Sequence, residues 1–186
     1  MPVDRSCHGR VVLVLGGARS GKSAFAQRLA EKWWLRPLYL ATAEVGDQEM
    51  ADRIELHRQK RGVRWACVEE PLDVAESLRS DTPPRDGVLL DCATVWLSNV
   101  MLKEGQAAVE KRKRQLLQSL AEAAGDVIVV SNEVGMGIVP DSELGRLFRD
   151  LQGWLNQDLA SAADVVVFVI AGLPMVLKGD AASIGL

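Results

Sequence analysis

Gly16-Gly17-Ala18-Arg19-Ser20-Gly21-Lys22-Ser23 has the spacing of a P-loop, G-x-x-x-x-G-K-[ST]. Before it runs Val11-Val12-Leu13-Val14-Leu15, an apolar β-branched run that reads as a buried strand. After it runs Ala24 to Lys32, which reads as a helix. That strand–loop–helix context is what gives the motif a physical meaning. Glycines let the backbone curl so that successive N–H groups face phosphate oxygens, and the new helix adds its positive end. In this reading Gly16, Gly17, Ala18, Arg19, Ser20 and Gly21 cradle the phosphates. Lys22 reaches the β- and γ-phosphates, and the Ser23 hydroxyl ligates Mg2+. A chance glycine- and serine-rich turn would not bring both flanks with it. The chain is therefore expected to bind a nucleoside triphosphate.

Outward from this motif, apolar β-branched runs alternate with longer amphipathic stretches, the pattern of a mostly parallel sheet covered by helices. Strands are expected near Leu38 to Thr42, Arg64 to Val68, Val88 to Asp91, Asp126 to Ser131 and Asp164 to Ile170, with a short last strand toward Lys178. Helices are expected over Asp47 to Lys60, from about Pro71, over Ala93 to Ala124 with a break near Gly105, and over Ser142 to Ala162. Pro71 suits a helix start, and Asp141 or Ser142 suits an N-cap. The fold class is α/β, a P-loop NTPase-like three-layer sandwich. Its central sheet is mostly parallel, flanked by helices, with an antiparallel edge near the C-terminus. One domain spans residues 1–186, and residues 1–10 read as a loose N-terminal extension.

The 186 residues suffice for one such domain with its own core. A formal net charge of −3 leaves no electrostatic footprint for nucleic acid. The basic run Lys111-Arg112-Lys113-Arg114 falls in an amphipathic helical stretch and reads as a solvated helix face. Cys7, Cys67 and Cys92 are odd in number and without ligand-like spacing, which suits a reduced, cytoplasmic protein. The polar N-terminus lacks the apolar core of a signal peptide, and no apolar run is long enough for stable membrane insertion.

A P-loop needs a metal partner on a neighbouring strand. Val88-Leu89-Leu90-Asp91, a hydrophobic strand ending in a carboxylate, supplies one. Val127 to Glu133 delivers a second carboxylate in the same way. Glu133 reads either as a metal or water-orienting group or as a structural carboxylate tied to the following glycine loop, Gly135-Met136-Gly137-Ile138-Val139-Pro140. Of the two histidines, His8 sits in the N-terminal extension, whereas His57 is followed by Arg58-Gln59-Lys60-Arg61. A lone histidine is more often structural. The basic tail is what raises His57, because those cations can hold phosphates while a neutral imidazole attacks.

These residues together carry a family resemblance. The P-loop is followed by Tyr39-Leu40-Ala41-Thr42-Ala43, by Glu49-Met50, Arg53-Ile54 and His57-Arg58, by Asn132 to Pro140, and by Phe148-Arg149-Asp150 with Asn156-Gln157. From Val11 to about Leu177 the chain resembles the bifunctional adenosylcobinamide kinase / adenosylcobinamide-phosphate guanylyltransferases of cobalamin biosynthesis. The resemblance implies phosphorylation of adenosylcobinamide by ATP or GTP. It then implies transfer of GMP from GTP, through a guanylylated histidine, to give adenosylcobinamide-GDP and pyrophosphate. The matching histidine is His57. Nucleotide contacts carry over to Gly16 through Ser23, to Ala41, Thr42 and Ala43, to Arg58, Gln59, Lys60 and Arg61, and to Glu69 and Asp91. Mg2+, a corrinoid substrate and a homo-oligomer are implied as well.

Two other classes share the P-loop. A nucleotide-dependent switch of the familiar GTPase kind would carry an Asn-Lys-x-Asp motif, which the sequence lacks. An ordinary small-molecule kinase would leave His57 idle and form no covalent adduct. The five tryptophans, Trp33, Trp34, Trp65, Trp96 and Trp154, suit either a core or an interface.

Overall fold

The computed structural model describes residues 9–44 and 64–186. The segment holding His57, Arg58, Gln59, Lys60 and Arg61, with the helix expected over Asp47 to Lys60, lies outside the described residues. Strand β1 (Val11–Gly16) leads into helix α1 (Lys22–Trp33) and β2 (Pro37–Ala41). Then follow β3 (Ala66–Glu69), α2 (Val74–Arg79), β4 (Gly87–Asp91), α3 (Ala93–Lys103) and α4 (Gln106–Ala121). The chain closes with β5 (Asp126–Asn132), α5 (Glu143–Ala162), β6 (Val165–Ile170) and β7 (Leu173–Lys178). The strands form one seven-stranded sheet in the order β3-β2-β4-β5-β1-β6-β7, parallel except for the antiparallel pair β6/β7. The mostly parallel sheet with an antiparallel C-terminal edge is the architecture expected from the sequence.

Interior strands are apolar on both faces because helices cover both. Period-two alternation divides each strand between two layers. Val11, Leu13 and Leu15 of β1, with Leu90 of β4 and Val127 and Val129 of β5, pack under α2 to α5. Val12 and Val14, with Leu89, Ile128 and Val130, pack under α1 through Phe25, Ala26 and Leu29. Trp96 and Trp34 are core residues at 2% and 4% exposure, whereas Trp154 is 55% exposed. Trp33 lies under the Arg10 guanidinium at 3.8 Å, and Trp65 meets Tyr39 edge-on.

Three details differ from expectation. Helix α2 begins at Val74 rather than near Pro71, because Glu70 Oε1 first accepts from the backbone N–H groups of Leu72 and Asp73, at 2.9 and 2.8 Å. The basic run on α4 is not simply a solvated face. Arg112 pairs with Asp73 and Glu104, and Lys113 reaches Asp158 of α5 at 2.7 Å, so half of that run ties helices together. The carboxylate of Asp158 raises the Lys113 pKa accordingly. The third difference concerns strand order. β4 is not a neighbour of β1, since β5 is inserted between them.

Candidate active site

The crossover from β1 through α1 passes over β5 and β4 to reach β2, while α5 carries the chain from β5 over β1 to β6 on the opposite face. The two connections diverge at the C-terminal end of β1. Such a switch point opens a crevice where ligands of α/β sheets bind. The P-loop occupies it.

Two glycines make the loop's path feasible. A Cβ on Gly16 would stand 2.5 Å from Ser20 Oγ and 2.6 Å from the Val169 carbonyl, so only glycine fits there. Gly21, the residue before α1, has φ of 95°, in the left-handed region. Arg19 also has positive φ, 57°, an uncommon state for a side-chain-bearing residue. The loop is braced from both sides. The Glu133 backbone N–H donates to the Gly16 carbonyl at 3.0 Å, and the Gly172 N–H, from the β6/β7 turn, donates to the Ser20 carbonyl at 2.8 Å.

Helix α1 opens with no side-chain cap and no acidic residue in its first turn. Its N-terminal N–H groups and dipole are thus left for an anion. Lys22, only 9% exposed, folds back so that Nζ donates to the Gly17 carbonyl at 3.1 Å. Ser23 is the next residue of the same turn and is half-buried.

Asp91 ends β4 on the same edge of the sheet, in register with Ala41, which is level with Glu69. Two strand spacings, roughly 10 Å, separate its strand from β1. The Tyr39 hydroxyl donates to Asp91 Oδ2 at 3.0 Å, which aims the carboxylate. Thr42 is fully buried. Its hydroxyl donates to the Cys92 carbonyl at 2.8 Å and accepts from the Cys92 N–H at 2.9 Å, which binds the end of β2 to the end of β4. Thr42 therefore presents its neighbours, Ala41 and the half-buried Ala43, to the edge rather than its own side chain. Burial, with the Asp91 charge beside it, pushes the Cys92 thiol up to about 11, so it stays protonated and is not a nucleophile. Glu133 Oε1 accepts from the Gly135 N–H at 2.5 Å, the tie to the glycine loop that was one of its two readings.

Among the described residues no group of three or more His, Cys, Asp or Glu is placed to hold a metal by itself. The Ser23 hydroxyl in the motif and the Asp91 carboxylate, two strands away on the same edge, are hard oxygen donors. A Mg2+ ion that keeps waters and leans on substrate phosphates needs no more than one or two protein oxygens, so this donor set fits.

A cavity of about 700 Å³ lies elsewhere, at the N-terminal ends of β4 and β5, lined by Arg36, Arg79, Arg85, Asp86 and Glu122 among others. Its charges are largely spent on each other, Arg36 on Asp86 and Arg79 on Glu122. The P-loop lies at the opposite end of the sheet.

Sequence reasoning did not find the polar cluster under β5, where Thr94, Ser131, Gln152 and Asn156 meet. Its sequence signals are a serine closing the run Val127-Ile128-Val129-Val130 and two amides one helical turn apart on the covered face of α5, of which Asn156 figures only in the family resemblance.

A family model described as cobinamide kinase / cobinamide phosphate guanyltransferase matches residues 12–177, from β1 to the end of β7. The chain belongs to that family. It is thus a bifunctional cobinamide kinase and cobinamide phosphate guanyltransferase. The bifunctional adenosylcobalamin biosynthesis protein CobP of Pseudomonas aeruginosa is 46% identical over 168 residues, covering 90% of this chain and 97% of its own. The bifunctional adenosylcobalamin biosynthesis proteins CobU of Escherichia coli and Salmonella typhimurium are 39% and 36% identical over 181 residues, covering 90% of this chain and 99% of theirs. Among solved structures, a KaiC-like protein from Pyrococcus horikoshii superposes with a TM-score of 0.49 at 15% identity, over 90% of this chain and 77% of that one.

Proposed function

We propose that the protein phosphorylates adenosylcobinamide and then guanylylates the product, both reactions drawing on nucleotide held at the P-loop edge. The observation that carries this reading is the open N-terminus of α1, uncapped and free of acidic residues, with Lys22 turned into the loop and Asp91 on the same edge. In the first reaction the aminopropanol hydroxyl attacks the γ-phosphorus of ATP or GTP. The bond from that phosphorus to the β,γ-bridging oxygen breaks, and the nucleoside diphosphate leaves. Gly16 through Gly21 hold the phosphates by backbone N–H groups, and Lys22 neutralises charge on the transferred group. Ser23 and Asp91 would hold Mg2+, with Glu133 as a further carboxylate beside Gly16. When bound, the ion would neutralise charge on the phosphate oxygens.

In the second reaction a neutral His57 imidazole attacks the α-phosphorus of GTP. An N–P bond forms, the α,β-bridging P–O bond breaks, and pyrophosphate leaves. A phosphate oxygen of adenosylcobinamide phosphate then displaces the imidazole, giving adenosylcobinamide-GDP. Arg58, Gln59, Lys60 and Arg61 hold the triphosphate during attack, and Ala41, Ala43 and Glu69 line the nucleotide's approach along the sheet edge, with the buried Thr42 holding its two neighbours in place. The net charge of −3 and the paired cations of α4 suit a small-molecule acceptor rather than a nucleic acid. Among the described residues no helix is long and apolar enough to cross a membrane, and a cytoplasmic location is part of the proposal. So is a homo-oligomer, supported by exposed Ile170, Leu173 and Met175 on the outer β6/β7 edge.

Incubation with α-labelled GTP and Mg2+ tests the second reaction. The folded protein is expected to acquire an acid-labile, base-stable label that the His57→Ala variant does not acquire. An unlabelled wild type, or a labelled His57→Ala variant, overturns the histidine route.

A further inference from the structure

The polar cluster under β5 has a proton arrangement fixed at both ends by the backbone of one residue, Asn132. The Asn132 N–H donates to Thr94 Oγ1 at 2.7 Å, and the Asn132 carbonyl accepts from Asn156 Nδ2 at 2.9 Å. Asn156 Oδ1 is therefore the acceptor end of its amide, receiving Ser131 Oγ–H at 2.7 Å and Gln152 Nε2 at 2.9 Å. Having spent its proton, Ser131 Oγ accepts from Gln152 Nε2 at 3.0 Å and from the Thr94 hydroxyl at 3.3 Å. Every bond then has one allowed direction. Ser131 and Gln152 are fully buried, and Thr94 and Asn156 are 7% and 6% exposed, so water does not compete for these groups.

What the cluster grips matters more than its burial. Asn132 is level with Gly16 in the β1/β5 ladder. The next residue, Glu133, gives its N–H to the Gly16 carbonyl. Ser131 faces α3 and α5, so by alternation the Asn132 side chain turns to the α1 face, and its buried Oδ1 has no partner among the described residues. α3 and α5 thus clamp from one face the strand end that braces the P-loop on the other.

We propose that Thr94, Ser131, Gln152 and Asn156 are positioning residues for phosphoryl transfer. They hold Asn132 and Glu133 so that the first turn of the P-loop keeps its reactive geometry. This rests on the reading that the P-loop holds the phosphoryl donor. A small misplacement of a reacting group costs rate rather than affinity.

The test pairs Thr94→Val, which keeps the shape and removes the acceptor for the Asn132 N–H, with Thr94→Ser, which keeps the acceptor and removes a methyl group. Thr94→Val is expected to lower kcat for cobinamide phosphorylation about tenfold with KM for ATP little changed, while Thr94→Ser stays near wild type. Amide hydrogen exchange gives a readout without catalysis. Exchange over residues 16–23 should rise in Thr94→Val and not in Thr94→Ser. Gln152→Leu, which removes an unpartnered acceptor along with its donor, should fold in any case and show the same pattern more weakly. Equal behaviour of Thr94→Val and Thr94→Ser in exchange over residues 16–23 overturns the proposal, as does unaltered exchange there in Gln152→Leu. Failure of wild type to bind ATP would instead count against the P-loop reading, and the exchange comparison stands apart from it.

Discussion

The two ends of the sheet use the same kinds of polar group in opposite ways. At the N-terminal end, carboxylates are consumed in closing the fold. Asp126 takes the Arg10 backbone N–H at 2.8 Å and its guanidinium at 3.2 Å. Asp86 takes the N–H groups of Leu35 and Arg36 at 3.0 and 2.8 Å together with the Arg36 guanidinium. Asp164 takes the Val11 N–H at 2.8 Å. At the C-terminal end, α1 starts without a cap, and Ser20 Oγ and Asn132 Oδ1 are buried without partners among the described residues. Buried polar groups left unsatisfied cost stability. Ser20 Oγ and Asn132 Oδ1 carry that cost at the edge where the phosphates of a nucleotide are proposed to sit, while Arg85 Nη1 carries it at the other end. One end of the sheet is closed by carboxylates that accept backbone N–H groups, and the other is the edge proposed to take the nucleotide.

This contrast is open to direct attack. The largest effect is expected from Lys22→Ala, which should lower cobinamide phosphorylation by about a hundredfold to a thousandfold while leaving the thermal midpoint nearly unmoved. A large loss of stability with modest loss of rate would mean that Lys22 serves the fold. Asp126→Ala should do the reverse. Loss of its backbone and guanidinium hydrogen bonds should cost about 1 to 2 kcal/mol in denaturant unfolding, with kcat and KM retained. A smaller effect should come from acid. The Arg112 guanidinium holds Glu104 below the usual carboxylate range, and the Arg36 guanidinium does the same to Asp86. A lowered folded pKa means that each contributes stability above its unfolded value, lost as pH falls through the folded one. Unfolding midpoints should therefore decline below about pH 4, and the decline should be shallower in Arg36→Gln. An equal slope in that variant would remove Asp86 from the account.

Much of the fold was legible because its signals are local. The P-loop spacing, the apolar runs and the helix start at Ser142, whose Oγ accepts from the Gly145 N–H at 3.1 Å, are each written within a few residues. Strand order was not legible in the same way. Val88 to Leu90 and Val127 to Val130 are interchangeable as buried strands, so nothing in either run says which one lies beside β1. The inward turn of Arg112 and Lys113 escaped for a related reason. Their partners Asp73, just before α2, and Asp158 of α5 lie far away in sequence, and a basic run on an amphipathic helix reads alike whether or not an acid faces it. The Tyr39–Asp91 bond joins residues 52 apart, and the cluster around Ser131 draws on three elements.

By itself the sequence determined the P-loop motif, the class of fold and the family, because glycine spacing, hydrophobic periodicity and motif composition are properties of short stretches. Only the tertiary structure decided what stands next to the loop. β5 rather than β4 braces Gly16, Tyr39 aims Asp91, and a buried set of side chains from α3, β5 and α5 grips Asn132. Those outcomes depend on contacts between distant residues, where hydrogen bonds form only after hydrophobic packing has brought the elements together and excluded water.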